Sequence, residues 1–222
     1  MILKYRISFK FLSKYYALLL TGIKNTLIIC SLSLVFSFIL GILLALMRRS
    51  NSKIMRGFSA CWVNILRNTP FLVQLFFFYY GLPELGISTS PMIVSVIALS
   101  INGSASNCEI IRSGLLAVKK GYYETAYALG FTKFQVMKDI IIPVSLRIAF
   151  KALTNNFINL ILTSSTCFAA TTMEIMGAAK CISSYASKPF EIFLLILILY
   201  CILTFTISFA CKAIEKKIHI QL

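Results

Sequence analysis

Polar side chains recur within an otherwise apolar stretch of this chain, residues 152–173. Asn155, Asn159 and Thr163 lie four residues apart, so on a helix they form one polar stripe. Ser164 follows the stripe, and Asn102 occupies an earlier apolar stretch. Amides and hydroxyls in such places either hydrogen-bond a neighbouring helix or line a path for a polar solute. The spacing alone leaves both interpretations open.

The chain lacks the residue patterns of metal and nucleotide chemistry. Its seven cysteines are scattered singly without a Cys-x-x-Cys pair, and the one histidine, His219, lies near the C-terminus. A zinc site or a disulfide framework is therefore not expected. No Gly-x-x-x-x-Gly-Lys-Ser/Thr loop for nucleotide phosphates is present. The sequence predicts no catalytic residues, no metal and no cofactor on this chain.

The polar loop 112–147 is the second candidate site, and its residue types favour helix. Its residues of interest are a glutamate, two small residues, an isoleucine and a proline: Glu124, Ala126, Gly130, Ile140 and Pro143. Ala126 and Gly130 should share one helix face and leave a flat strip that another protein can approach closely. Gly130 can also adopt a positive φ and end a short helix. Pro143 should start or bend the next helix. The alternative is an amphipathic loop of no special role.

Composition places these residues in a membrane protein. The 222 residues are 59% apolar and only 13% charged, with a mean hydropathy of +0.86. A soluble domain has about 25% charged residues, and a disordered chain lacks the apolar content. The net charge of +15 is typical of a membrane protein with basic cytoplasmic loops. A nucleic-acid partner is therefore not expected.

The elements that position the candidates are about five membrane-spanning helices in a single domain, 1–222. The predicted spans, each near the 20 apolar residues that a bilayer requires, are 22–47, 57–83, 85–111, 144–173 and 190–211, with a cytoplasmic loop over 112–143. Pro70 should break or kink the second span. Asn25 and Thr26 are predicted to cap the first helix, and Pro189 to begin the last one.

The distribution of Lys and Arg predicts the orientation. The 48–56 loop, the 112–147 loop and the tail carry most of these residues, so they are placed in the cytoplasm together with the C-terminus. Residues 83–90 and 171–190 are then external. The basic N-terminus faces outward against the rule, and its alternating segment 3–11 is predicted to lie in the membrane interface.

The loop segment resembles the EAA loop of ABC-importer permeases, the helix that docks on the ATPase. That loop combines Glu-Ala-Ala, a Gly four residues on, and an Ile-x-Leu-Pro ending. The matching residues are Glu124, Ala126, Gly130, Ile140 and Pro143. Thr125 replaces the first Ala of the motif, and Ile142 replaces the Leu. The resemblance assigns these residues to ATPase coupling.

Other stretches resemble the polar amino-acid permeases of that class, the histidine, glutamine and arginine type. They are Gly22-x-x-x-Thr26-Leu27, Arg67-Asn-Thr-Pro70-Phe-Leu-Val-Gln74, Tyr80-Gly-Leu-Pro83, Ala98-Leu-Ser-Ile-Asn102, Glu109-Ile-Ile-Arg112-Ser-Gly114 and Lys188-Pro-Phe-Glu191. The resemblance covers about residues 15–217. It implies an all-α integral membrane permease of a type I ABC importer in the cell membrane. The implied partners are an ATP-binding cassette ATPase dimer that uses the ATP, a second permease subunit of the same or a similar sequence, an extracytoplasmic amino-acid-binding protein and membrane lipid.

Under this resemblance the polar stripe would line a path for a zwitterionic amino acid. Related permeases often have Lys-Asp before Thr-Ser, whereas Leu162-Thr163 precede Ser164-Ser165 here. A carboxylate that could hold a cationic or amino group is thus missing at Thr163. Either the substrate is neutral or a partner subunit supplies the contact. Glu109 is expected to pair with Arg112, three residues on, near the cytoplasmic edge.

Two other classes of membrane protein compete with the permease. A membrane-embedded enzyme, such as a lipid transferase, needs clustered Asp, His or Glu near the interface, but the seven acids and one histidine are scattered. A channel or secondary carrier needs paired charges at mid-membrane, a pattern that the sequence does not show.

Overall fold

The computed structural model describes residues 7–217, in which every regular element is helical. The segment 3–11 lies partly outside this range, and His219 lies wholly outside it. The helices are α1 (Leu12–Arg48), α2 (Lys53–Arg67), α3 (Phe71–Glu84), α4 (Pro91–Ala117), α5 (Lys120–Ala128), α6 (Lys133–Gln135), α7 (Ile142–Ser164), α8 (Ile175–Ala186) and α9 (Pro189–Lys217). Helices α1, α4 and α9 are long and apolar enough to cross a membrane.

Helix α4 is central and packs against α1, α2, α3 and α7. At its crossing with α1, a Cβ atom built on Gly41 would lie 2.5 Å from the Cβ atom of Asn107. Ser33 and Ser37, on the same side of α1, are fully buried. Small residues let two helix backbones approach closely. Close packing of this kind holds membrane helices together, because lipid is itself apolar and the hydrophobic effect does not favour their association.

The predicted second span, 57–83, is two helices rather than one. Helix α2 ends at Arg67 and α3 begins at Phe71, so the predicted break at Pro70 is confirmed. Gln74 closes the break, because its Nε2 donates to the carbonyl oxygens of Leu66 (2.8 Å) and Thr69 (2.9 Å). These carbonyls lack the partners that a continuous helix would supply.

The predicted cap at Asn25 and Thr26 is wrong, because α1 begins at Leu12 and holds both residues in its interior. Their side chains bond the chain around the start of α8 instead. Asn25 Nδ2 donates to the Met173 carbonyl oxygen (2.7 Å), and the Ile175 N–H donates to Thr26 Oγ1 (3.1 Å). Polar residues that suit a cap locally thus serve a tertiary contact.

Other bounds also differ from the sequence-based expectation, and one agrees. The third predicted span, 85–111, is α4, which begins at Pro91 because Ser90 caps it and ends at Ala117, so the predicted loop 112–143 begins with helical residues. Helix α7 ends at Ser164 rather than 173, in a 3-10 turn over Ser165–Ala170 that Thr171 closes with φ of 57°. Helix α8 lies within the segment 171–190, for which no helix was predicted. Helix α9 begins at Pro189 as predicted.

Candidate functional site

The loop between α4 and α7 contains a short helix, α5, that ends in a Schellman motif. The Phe131 N–H donates to the Ala126 carbonyl oxygen (3.1 Å), and the Gly130 N–H donates to that of Tyr127 (3.0 Å). Gly130 has φ of 81°, a left-handed conformation that glycine adopts without strain. The prediction that Gly130 ends a short helix is confirmed.

Ala126 lies inside the chain rather than on its surface. Its side chain is 1% exposed and packs in the cluster that contains Val136 and Ile141. The predicted outward strip shared by Ala126 and Gly130 is therefore wrong. The helix ends before Gly130, so the four-residue period no longer relates the two. The methyl group of Ala126 lets α5 lie close to the segment that follows it.

A second contact joins α5 to the C-terminal end of α1. Arg49 Nη1 donates to the hydroxyl oxygen of Tyr123 (3.0 Å), and the Arg49 guanidinium carbon lies 5.9 Å from the centre of that ring. Tyr123 is itself half-buried against the core around Ala126. Helix α5 is thus bonded to the end of α1 and packed against the π-helical stretch that leads to α7.

The outward side of the loop carries apolar side chains on an otherwise polar segment. We call these exposed residues the coupling surface: Tyr122, Tyr127, Leu129, Phe131 and Phe134. Leu129 and Phe134 are 71% and 73% exposed. Glu124 is exposed on the same helix. Apolar side chains grouped in this way mark a protein contact.

The chain from α6 to α7 is continuous through a π-helical stretch, Val136–Ile141. Pro143 follows directly as the second residue of α7. A proline inside an α-helix removes one hydrogen bond and its ring clashes with the carbonyl four residues earlier. The wider π turn makes room for that ring. Ile140 is partly buried against the core, so the stretch is held in place.

The predicted polar stripe on α7 divides into two kinds of residue. The side chains of Asn155 and Asn159 are exposed, and their amides have no hydrogen-bond partner among the described residues. Thr163 Oγ1 donates to the Asn159 carbonyl oxygen (2.8 Å), and buried Ser164 Oγ donates to that of Ile161 (2.7 Å). The two asparagines thus remain available to a solute or another chain.

A different asparagine makes the interhelical bonds. Asn156 Nδ2 donates to Asn107 Oδ1 (2.9 Å), and Asn107 Nδ2 donates to Ser37 Oγ (3.2 Å). This network joins α7, α4 and α1. The sequence showed these polar residues but did not distinguish Asn156 from its neighbour Asn155, because the choice depends on which face of α7 meets α4.

Asn102 holds the break between α2 and α3. Its Nδ2 donates to Gln74 Oε1 (3.1 Å), and Gln74 in turn caps the end of α2. Asn102 remains partly exposed, so the bond to Gln74 is compatible with the predicted position of Asn102 beside a solute path.

Three charged side chains form ion pairs between the C-terminal part of α4 and the C-terminal end of α1. Arg112 Nη2 lies 2.8 Å from Glu109 Oε2, which confirms the predicted pair, and Arg48 Nη2 lies 3.4 Å from Glu109 Oε1. Among residues 7–217, no group of three His, Cys, Asp or Glu side chains could hold a metal ion.

The sequence model for binding-protein-dependent transport system inner membrane components matches residues 37–220. The putative glutamine transport system permease protein GlnP of Rickettsia bellii is 36% identical, over 96% of this chain and 100% of the relative. The probable glutamine ABC transporter permease protein GlnM of Bacillus subtilis is 32% identical, over 92% and 94%.

Solved structures show the same fold. The crystal structure of an amino acid ABC transporter with histidines superposes with a TM-score of 0.88 at 31% identity, over 96% of this chain and 100% of that one. An inward-facing MetNI methionine ABC transporter gives a TM-score of 0.77 at 22% identity, over 92% and 98%, a likeness of fold alone.

Proposed function

We infer the function from the family, because the chain belongs to the binding-protein-dependent transport system inner membrane components. It is a permease subunit of an ABC importer, built of membrane-crossing helices. We propose that the importer takes up an amino acid. The identity to permeases named for glutamine supports this substrate class.

The coupling surface is the observation that carries the mechanism. It is apolar, exposed and fixed to the core through Ala126 and Tyr123. We propose that it docks on a separate ATP-binding cassette ATPase, with Glu124 at the edge of the contact and Gly130 turning the chain. Ile140 and Pro143 then hold the π-helical stretch that joins the docked segment to α7.

Closure of two ATPases on ATP would move both docked loops. Because α5 is bonded to α1 and packs against the π-helical stretch that leads from α6 into α7, the movement would be passed to the helices that contact α4. The two permease subunits would then rock between inward-facing and outward-facing states, and ATP shifts their populations. ATP is used by the partner, and this chain needs no cofactor of its own.

The remaining partners and the orientation belong to the same proposal. A second permease subunit, identical or similar, would complete the path, and an extracytoplasmic binding protein would deliver the amino acid. The loop and the C-terminus would face the cytoplasm, which agrees with the basic residues on that side.

Uptake by reconstituted vesicles tests this function. Vesicles that contain the permease and the ATPase, with substrate-loaded binding protein outside and ATP inside, should accumulate labelled L-glutamine. Vesicles without the ATPase should not. Equal uptake without ATPase or ATP would identify a secondary carrier and contradict the proposal.

A further inference from the structure

Helix α2 has three faces with different surroundings. Its core face packs on α1 and α4, and Ser59 and Val63 are fully buried there. One exposed face is apolar, and the other is polar. The apolar face consists of Ile54, Phe58 and Ile65, and the polar face consists of Lys53, Arg56, Asn64 and Arg67. With 3.6 residues per turn, these two faces lie on opposite sides of the core face. Such a helix suits lipid on one side and water on the other.

The last residue of α2, Arg67, lies level with the middle of helix α4. The Glu109–Arg112 pair marks the cytoplasmic end of α4, while Gln74 bonds both Leu66, next to Arg67, and Asn102 of α4. Asn102 is ten residues from Arg112 along α4, a rise of about 15 Å. Since the hydrocarbon core is about 30 Å thick, Arg67 lies near its middle.

The side chain of Arg67 is exposed and forms no ion pair with any acid in residues 7–217. A cation that faces lipid at this depth is costly, so intramembrane arginines face a water-filled cavity and mark a solute path. The polar face of α2 would line the part of this water-filled cavity that opens to the cytoplasmic side. Ile65, two residues earlier, lies on the apolar face and is 59% exposed.

The polar side chains of α4 and α7 lie on the same side of the bundle. On α4, one set of residues packs against α2 and a second set packs against α7. Asn102 and Ser106 lie on the face of α4 between these two sets. The first set is Ala105 and Cys108, beside Val63, and the second is Gly103 and Asn107, beside Leu160 and Asn156. Asn155 and Asn159 adjoin the α4-facing side of α7. Arg67 is the cation of this polar face at mid-membrane.

We propose that Arg67 binds the carboxylate of the transported amino acid, which extends the proposed function to a named contact. A guanidinium presents paired N–H donors that match a carboxylate in bidentate geometry. Glu109, the acid on the same side of α4, is already paired with Arg48 and Arg112. Among the described residues, the polar side of the bundle formed by α2, α4 and α7 therefore offers a cation but no free carboxylate. This selects neutral and acidic amino acids over cationic ones.

Accessibility of a cysteine tests the location of Arg67. In a Cys-less importer reconstituted with its ATPase, Arg67→Cys should react with the anionic, membrane-impermeant thiol reagent MTSES, which reports whether position 67 faces water. Ile65→Cys is the matched control at the same depth on the apolar face, and it should not react. An unreactive Arg67→Cys, or an Ile65→Cys that reacts equally fast, would overturn the proposal.

Transport tests the charge. Arg67→Gln should lower L-glutamine uptake at least tenfold, because a hydrogen-bonded charge is replaced by a neutral amide. Arg67→Lys should restore part of it. Substrate-loaded binding protein should still stimulate ATP hydrolysis in both variants, since docking is unchanged. Wild-type uptake by Arg67→Gln would refute the role of Arg67 while leaving the importer function intact. An absence of ATP-driven uptake in the wild type would refute the importer function, and MTSES labelling would still report the position of Arg67.

Discussion

Substitutions at Gly130 separate backbone strain from surface contact. Its φ of 81° disfavours L-residues by about 1–2 kcal/mol, a factor of about 5–30 in the population of the native turn. A Cβ atom built there meets no heavy atom within 4 Å. Gly130→Ala and Gly130→Arg therefore carry the same backbone strain, and neither Cβ atom clashes with its own chain, so the difference between them reports the effect of the longer side chain at the ATPase contact.

The expected series is graded. Gly130→Asn should transport nearly as well as wild type, because asparagine tolerates the left-handed region. Gly130→Ala should lose activity only by the strain, and Gly130→Arg should abolish uptake, because close packing is lost over a 1 Å gap. The assay is uptake together with ATP hydrolysis stimulated by loaded binding protein. Gly57→Arg, also exposed with open space around it, is the control for an added arginine. Equal activity of Gly130→Ala and Gly130→Arg would refute the reasoning.

Three further outcomes follow from the structure. Asn159→Leu should lower uptake without loss of assembly, whereas Asn156→Leu should lower stability, because Asn156 bonds Asn107 (2.9 Å); unchanged uptake would remove Asn159 from the path. Gly41→Leu should reduce the amount of folded permease in membranes by thermal assay, since Asn107 lies 2.5 Å from the added Cβ; a wild-type melting temperature would contradict that packing. Single cysteines at Ser88 and Lys119 in a Cys-less background should label from outside and inside intact cells respectively, and labelling of position 119 from outside would overturn the orientation.

Helix positions were predictable where one physical constraint dominates. The apolar runs give α1, α4 and α9, and Pro70 and Pro189 mark a break and a start, because proline has few alternatives. The bounds at Leu12 and Ser164 depend on tertiary partners. Residues 12–22 of α1 extend beyond the long apolar run and pack on α8 and α9. This contact cannot be predicted from the local sequence pattern.

The candidate site shows the same division. Gly130 ends α5 as its conformational freedom predicts, whereas Ala126 faces inward because it packs in the cluster that contains Val136 and Ile141. Pro143 was the signal for the π-helical stretch, but a proline is compatible with a helix start, a kink or a π turn, and the packing of Ile141 decides among them. The amphipathic pattern of α2 places Arg67 on a polar helix face. That position suggests a role only once the hydrogen bonds of Gln74 to Leu66 and Asn102 show how deep Arg67 lies.

Crosslinking from the coupling surface tests the central claim most directly. A photoreactive phenylalanine analogue replaces Leu129, which is 71% exposed, in membranes that contain the complete importer. The same analogue at Leu85, which is 76% exposed between α3 and α4, provides the control. Docking of α5 on the ATPase predicts a crosslink to that subunit from position 129 and not from position 85. A complete importer that transports but gives no ATPase crosslink from position 129 would contradict the account.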